Sequence, residues 1–357
     1  MVFLAVSVGL AAVTCLPAAG AYAGRMQVSE PMFLGQPAWS PDGKHIAWVA
    51  GPPNGYGTVW VADASGQNAR PLHQFGQSLL NVDGVGQLTW KSSSSLLVDA
   101  YLNDQSALYR VTLSGQITVL AQLPDQAFST DRRQRLVATE GYSACENCSD
   151  PIDVLHLASG KVTGAGSPGD YNASPALSPN GRRLAYERGI CRPKGCGNSR
   201  GIWLGPASRA GNGRELVPGG QFPLWSPDGR TIAYMVNTPK GFQDLGIVRP
   251  GKKPHTLPRA GAPGAFSPDS RLLAYDGETN SGSWGNTIGH LVLLNLHRRR
   301  ATLVSPRWLG NINGQAWSPD GKKLIVVARP TSANPDCPSL YMLTLRTRDW
   351  KLFRACG

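Results

Sequence analysis

The sequence has few charged residues, only six histidines and, after residue 23, no long hydrophobic run. Asp, Glu, Lys and Arg make up 16% of the chain, whereas apolar residues make up 41%, a composition too hydrophobic for a disordered protein. No two histidines have the spacing of a metal-binding pair, which disfavours a histidine-based metal centre. No segment after residue 23 approaches the roughly 20 apolar residues of a membrane-spanning helix. No apolar period of 3.6 residues recurs, which disfavours a helical fold.

What the sequence does contain is turn residues and positive charge. The 42 glycines and 28 prolines make up about a fifth of the 357 residues, against about 12% in an average protein. This composition favours a fold with many turns. There are 35 Lys and Arg against 23 Asp and Glu, so the formal charge is +12 and the surface is expected to attract anions.

The first 23 residues have the features of an export signal. They contain no charged side chain and end in Ala21-Tyr22-Ala23, a small-x-small triplet that fits a signal-peptidase site. We therefore predict a signal peptide over residues 1–23 and an exported, periplasmic or extracellular, mature chain over residues 24–357. The segment lacks a basic start, so an uncleaved N-terminal membrane anchor is the alternative.

Six of the seven cysteines lie in the predicted mature chain, and an even number in an exported protein favours disulfides. These are Cys145, Cys148, Cys191, Cys196, Cys337 and Cys356. The first four fall in two neighbouring loops and predict either two local disulfides or a tetrathiolate zinc site. The last two are expected to pair with each other and to fasten the end of the chain.

A hexapeptide repeat organises the whole chain. Three nearly identical copies of Trp-Ser-Pro-Asp-Gly-Lys/Arg begin at Trp39, Trp225 and Trp317. Weaker copies begin at Trp90, Phe128, Leu177 and Phe266. The intervals between successive copies run from 38 to 51 residues, which is typical of propellers and solenoids.

Short apolar runs around each copy decide between these two architectures. Each hexapeptide is followed at once by a β-type run such as Ile232-Ala233-Tyr234, and further runs follow it. Four strands per repeat make a propeller blade, and Ser-Pro-Asp-Gly suits the tight turn between two strands. We predict an all-β fold, a single seven-bladed β-propeller of four-stranded antiparallel blades, with a six-bladed propeller as the alternative. The ring is expected to close by a strand from Val28–Leu34 in the last blade, or by the C-terminal run Trp350–Arg354 alone.

The hexapeptide and the Ile/Leu-Ala-Tyr/Trp run that follows it resemble the WD40-like repeat of the TolB propeller family. The resemblance covers nearly all of the predicted mature chain. It implies a periplasmic protein that binds other envelope proteins through its propeller, as in the Tol-Pal system. The sequence differs from that family in its seven repeats, where TolB has six blades, and in having no room for the family's N-terminal α/β domain.

Strand order assigns the long loops to one face of the predicted disc. These loops carry Tyr56, Tyr142 and Trp284, residue types that are enriched at interfaces. We therefore expect a monomeric, non-enzymatic protein that binds a protein partner, or an envelope polymer, through this face, with no cofactor and no nucleic acid. The alternatives are an enzyme, a hydrolase, lyase or cyclase, with its site in the central channel, or a sensor of a small ligand.

The opposite face is predicted to carry a ring of basic residues, one after the turn in six of the seven blades, with Ser95 as the exception. These residues are Lys44, Arg133, Arg182, Arg230, Arg271 and Lys322. They are either solvated turn residues or a docking surface for an anionic envelope polymer or lipid phosphate. The run His297–Arg300 is expected on the same face.

Two motifs suggest catalysis only superficially. Gly197–Gly201 matches the G-x-S-x-G pattern of hydrolase nucleophiles, but it falls between two predicted strands and not before a helix. The repeated aspartates, such as Asp42 and Asp228, are explained by the turns that contain them. We therefore predict no catalytic residue.

Overall fold

The computed structural model describes twelve segments of the chain. These are residues 33–51, 57–75, 85–102, 105–123, 128–140, 152–165, 171–192, 195–208, 213–239, 242–279, 288–330 and 338–355. Within them the chain forms seven four-stranded antiparallel sheets and no helix. The seven-bladed propeller is therefore confirmed over the six-bladed alternative.

The first four blades follow one another along the chain. The first contains β1 (Phe33–Trp39), β2 (His45–Gly51), β3 (Thr58–Asp63) and β4 (Arg70–Gln74). The second contains β5 (Val85–Ser92), β6 (Ser95–Leu102), β7 (Gln105–Thr112) and β8 (Ile117–Gln122). The third contains β9 (Phe128–Thr130), β10 (Leu136–Glu140), β11 (Ile152–His156) and β12 (Lys161–Ala165). The fourth contains β13 (Tyr171–Leu177), β14 (Arg183–Arg192), β15 (Gly195–Pro206) and β16 (Arg214–Pro218).

Three further blades complete the described propeller. The fifth contains β17 (Gly220–Trp225), β18 (Ile232–Asn237), β19 (Gln243–Val248) and β20 (His255–Leu257). The sixth contains β21 (Pro263–Phe266), β22 (Leu272–Thr279), β23 (Ile288–Asn295) and β24 (Arg300–Leu303). The seventh contains β25 (Leu309–Trp317), β26 (Lys323–Pro330), β27 (Ser339–Thr344) and β28 (Asp349–Arg354). Each sheet is ordered as its strands occur in the chain, and the first strands of the blades are the inner ones that meet around the ring.

The repeated hexapeptide forms the turn between the first and second strands of a blade. In the first blade, the Ser40 hydroxyl donates to the Asp42 carboxylate at 2.6 Å and accepts the N–H of His45 at 2.9 Å. The same carboxylate accepts the N–H of Lys44 at 3.1 Å. Gly43 has a φ of 71°, a left-handed conformation that favours glycine. The hexapeptide is therefore a local hydrogen-bonded unit, which explains its repetition.

The third blade is shifted by two residues from the predicted repeat. Asp131 takes the place of the turn serine: its N–H donates to Leu136, and its carboxylate accepts the N–H groups of Arg135 and Leu136. The basic residue after the turn is consequently Arg135, and the predicted Arg133 occupies the position of the turn aspartate. The prediction was wrong here because Phe128, the only aromatic residue nearby, was aligned with the tryptophan of the other copies.

Three tryptophans that open copies of the repeat are wedges between two blades: Trp90, Trp225 and Trp317. The indole Nε1 of each donates to a carbonyl oxygen on the inner strand of the preceding blade. This bond is 3.0 Å long in each of the pairs Trp90 to Ala38, Trp225 to Ala176 and Trp317 to Ala265. Three pairs of neighbouring inner strands are thus linked by the residue that marks the repeat.

Among the described residues, the first and last blades meet without exchanging a strand. β1 is the inner strand of the first sheet, and β25 to β28 make up the last sheet. Most of the segment Val28–Leu34, which was expected to supply a strand to the last blade, lies outside the described residues, and Phe33 and Leu34 belong to β1 of the first blade. The two blades are joined by a shared apolar cluster that includes Leu34 and Trp48 from one side and Ile325 and Met342 from the other.

One indole bond is missing at this junction, and it provides a matched comparison. The Nε1 atom of Trp39 is buried and has no hydrogen-bond partner among the described residues. We expect Trp225→Phe to lower the free energy of unfolding by about 1 kcal/mol more than Trp39→Phe, because only the first loses a hydrogen bond. Urea denaturation of both variants measures the difference. Equal losses would contradict a stabilising role for the indole bond.

Candidate functional site

The face that carries the hexapeptide turns and the hairpins between third and fourth strands is called the turn face below. Five of the six predicted ring residues occupy equivalent positions on it and are exposed, and Arg133 lies nearby in the third-blade turn. Two of them pair with the aspartate of their own turn, Arg271 with Asp269 and Lys322 with Asp320, each at 3.8 Å. Such exposed pairs contribute little to stability. The turn face therefore presents a ring of solvated positive charge.

The aspartates of these turns act as structural acceptors. The serine hydroxyl that donates to each carboxylate, followed by the backbone N–H two residues further on, lowers the pKa of Asp42 and of Asp320. In the fourth blade the neutral Asn180 makes the same two contacts, with Ser178 and with the N–H of Arg182. Because an amide can replace the carboxylate, the turn requires an acceptor and no proton-transfer group.

A cleft on the turn face lies between the hairpins of the fifth and sixth blades, and we call it the blade 5–6 cleft. Its volume is about 450 Å³. The basic residues that line it are Arg249, Lys252, Lys253, His255, His297 and Arg299. The other lining residues are Thr231, Ile247, Leu257, Leu294 and Leu296. The lining therefore combines six basic side chains with an aliphatic floor and includes no acidic residue.

Local turn chemistry holds these basic residues outward. In the hairpin from β19 to β20, the N–H of Lys252 donates to the carbonyl of Arg249. In the hairpin from β23 to β24, the Asn295 side chain accepts the N–H groups of His297 and Arg298. All six basic side chains of the cleft are exposed, and none of them forms an ion pair with another described residue.

A second pocket on the turn face, the blade 4 pocket, has a volume of about 410 Å³. It is lined by Arg182, Arg183, Leu204, Gly205, Pro206 and Arg214. None of its three arginines forms an ion pair within the described segments. Together the pocket and the cleft extend positive charge over three consecutive blades.

Two glutamates join the second strand of one blade to the inner strand of the next blade. Glu140 accepts the N–H of Ser174 at 2.6 Å, and Glu187 accepts the N–H of Phe222 at 2.8 Å. Ser174 and Phe222 both have a positive φ and precede a proline, so each lies in a bulge of its inner strand. A carboxylate on one blade therefore caps the bulge of the next.

Sequence reasoning missed these carboxylates. The second strands of four blades each carry an acidic residue at an equivalent position. In each strand it lies three residues after the apolar residue that pairs with the end of the inner strand. These residues are Asp99, Glu140, Glu187 and Asp276. Aligning the blades on their turns would have revealed them. Asp99 and Glu187 are 0% and 2% exposed, so burial favours a structural role.

Two serines, Ser305 and Ser199, are candidate nucleophiles by their neighbours or their sequence pattern. The Nδ1 atom of His290 lies 3.3 Å from the Ser305 hydroxyl and 3.2 Å from the carbonyl of Leu309. Ser305 is buried and accepts the N–H of Leu291, which ties it to its own blade. Ser199, in the G-x-S-x-G pattern, lies within β15, and no helix follows it among the described residues. Neither arrangement has the geometry of a nucleophile elbow.

Several predicted residues lie outside the described segments. These are Tyr56, Tyr142, Trp284, Cys145, Cys148, Cys337 and Cys356. Cys191 and Cys196 lie opposite each other in the register of β14 and β15. Among described residues, no group of three or more His, Cys, Asp or Glu is arranged to hold a metal ion. The described part also contains no helix long and apolar enough to cross a membrane.

No protein-family model matches the chain. No curated protein matches it either. Solved structures do resemble it in fold. An oligogalacturonate lyase from Vibrio parahaemolyticus superposes with a TM-score of 0.62 at 12% identity, over 86% of this chain and 88% of its own.

Two propellers from peptidases are similar to the same extent. A puromycin-hydrolysing peptidase from Mycobacterium tuberculosis gives a TM-score of 0.66 at 16% identity, over 91% of this chain and 54% of its own. Another similar structure is the propeller domain of the Trilobed protease from Pyrococcus furiosus, which is described as having an open velcro topology. It gives a TM-score of 0.65 at 10% identity, over 92% of this chain and 99% of its own. The chain thus spans about half the length of the puromycin-hydrolysing peptidase and nearly all of the protease propeller domain.

These likenesses establish the fold and correct one expectation. The propellers that resemble this chain over most of its length belong to a lyase and to peptidases, which contradicts the prediction of a non-enzymatic interaction module. The resemblance to TolB is supported only as a shared propeller fold, and membership of the TolB family stays a prediction.

Proposed function

We propose that this chain is a propeller enzyme that cleaves an acidic oligosaccharide by elimination and binds it through the turn face. The observation that carries the proposal is the surplus of unpaired cations there, above all the three arginines of the blade 4 pocket. An acidic saccharide carries a carboxylate on successive sugar rings. A guanidinium pairs with a carboxylate through two parallel hydrogen bonds, so a row of arginines suits such a polymer.

The chemistry of elimination also requires cations. A base removes the proton from the carbon next to the carboxylate, a carbon–carbon double bond forms, and the bond to the glycosidic oxygen breaks as that oxygen takes up a proton and leaves as a hydroxyl group. Negative charge builds up on the carboxylate during this step, and nearby cations stabilise it. The solved lyase supports this reaction class, because 88% of that enzyme's chain superposes on this propeller.

The direct test incubates the purified full chain with oligogalacturonate and with a neutral oligosaccharide of the same length. We expect an ultraviolet-absorbing unsaturated product from the acidic substrate alone, at a rate that falls with ionic strength because the attraction is electrostatic. No product from oligogalacturonate or from other acidic oligosaccharides would contradict the proposal.

A charge-reversal variant tests the binding surface. Arg183→Glu with Arg214→Glu should lower kcat/KM by at least about tenfold, because charge-assisted hydrogen bonds are lost and repulsion replaces them. Lys351→Glu is the control, since this exposed residue lies on the outermost strand of the last blade, outside both basic pockets. An equal loss in the control would show a general effect of net charge and contradict the assigned surface.

A further inference from the structure

The blade 5–6 cleft has a charge density that the saccharide does not require. Arg249, Lys252, Lys253 and Arg299 supply four permanent positive charges, and His255 and His297 stand beside them. No described acidic residue pairs with any of the six. A ligand with several negative charges close together would relieve their mutual repulsion in one cleft of about 450 Å³.

The number of charges favours phosphate over carboxylate. A carboxylate brings one negative charge, whereas a phosphate group brings roughly two near neutral pH. Two linked phosphates therefore bring a negative charge close in size to the four permanent positive charges of the cleft. Carboxylates on separate sugar rings are spaced further apart, so they bring less negative charge into the same volume. Arginine adds the bidentate geometry that phosphate oxygens accept.

The floor of the cleft indicates what the phosphates are attached to. Ile247, Leu257, Leu294 and Leu296 line it, and the aromatic rings of the lining are the two imidazoles of His255 and His297 at the rim. Nucleobases are commonly bound by stacking on aromatic rings, and the floor itself offers no Phe, Tyr or Trp for this. An alkyl chain instead gains free energy by covering aliphatic surface.

We propose that the blade 5–6 cleft binds a diphosphate that carries an alkyl or isoprenoid chain. The rim cations hold the diphosphate, and the aliphatic floor receives the first carbons of the chain. The cleft lies between the fifth and sixth blades, whereas the three arginines that carry the saccharide proposal lie in the blade 4 pocket. The two pockets share no lining residue, so variants can test the diphosphate site separately from the saccharide site.

Calorimetric titration of the full chain with three probes tests this proposal. We expect geranyl diphosphate to bind at least about tenfold more tightly than inorganic pyrophosphate, since burial of two methylene groups supplies such a factor. Adenosine diphosphate should bind no more tightly than pyrophosphate. Equal affinity for geranyl diphosphate and pyrophosphate, or tighter binding of the nucleotide, would overturn the assignment.

Variants locate the site. Arg249→Glu with Arg299→Glu should weaken both pyrophosphate and geranyl diphosphate by at least about tenfold. Leu257→Ser should weaken only the alkyl probe. Lys322→Glu, an exposed turn-face substitution outside the cleft, should leave both affinities within about twofold. If the cleft variants bind as the parent does while their unfolding curves are unchanged, the site lies elsewhere and the proposal fails.

Discussion

Replacing Trp48 by alanine is expected to lower the free energy of unfolding by about 3 to 5 kcal/mol, the cost of removing a large aromatic side chain from a packed core. Trp48 is 1% exposed. It stacks on Trp60 with ring centroids 6.2 Å apart, and Phe353 of β28 meets it edge-on at 6.0 Å. The tryptophan therefore contacts its own blade and the last strand of the chain at once.

This residue should matter more than other core positions because of how the ring closes. Within the described segments the first and last blades share no strand, and the Nε1 atom of Trp39 has no hydrogen-bond partner there. Closure consequently depends on side-chain packing around Trp48. Thermal and urea unfolding followed by circular dichroism measure the loss.

Trp308→Ala is the matched control for this test. Trp308 is 47% exposed and contacts Tyr341 at the edge of the last blade, so its removal should cost less than about 1 kcal/mol. A similar loss in the two variants would contradict a special role for the junction.

The architecture was predictable from the sequence because the repeated unit is local. Ser40, Asp42 and Gly43 lie within four residues and satisfy one another, so the turn is encoded without reference to the rest of the chain. The blade count follows from counting such turns. The turn of the third blade was misaligned because it departs from the motif at two positions. Asp131 takes the place of the serine, and Gln134, which has a positive φ, takes the place of the glycine. Neither replacement can be recognised from the sequence alone.

The candidate sites were less predictable because they combine residues from different blades. The run His297–Arg300 is visible in the sequence, but the opposing Arg249 and Lys252 lie about one blade earlier in the chain. Only the packing of two hairpins side by side creates a cleft between them. Similarly, the bond from Glu187 to Phe222 depends on the bulge in the next inner strand, which is a property of three-dimensional register.

Replacing Glu187 by alanine is expected to lower the free energy of unfolding by about 2 to 3 kcal/mol. The carboxylate is 2% exposed and accepts the N–H of Phe222 at 2.8 Å. Its removal takes the charged acceptor away from the Phe222 N–H, and hydrogen bonds to charged groups are worth about 1.5 to 3 kcal/mol. Glu187→Gln keeps an acceptor oxygen in place and should lose less than about 1 kcal/mol. Urea denaturation compares the two.

The glutamine variant also separates a structural carboxylate from a catalytic one. If Glu187 only caps the bulge, cleavage of oligogalacturonate by Glu187→Gln should proceed within about twofold of the parent rate, because the folded ring is preserved. Glu215→Ala, a change at an exposed position of β16, should leave both stability and rate unchanged. A glutamine variant that is as stable as the parent but inactive would assign proton transfer to Glu187 and place the reaction in the central channel, between the fourth and fifth blades.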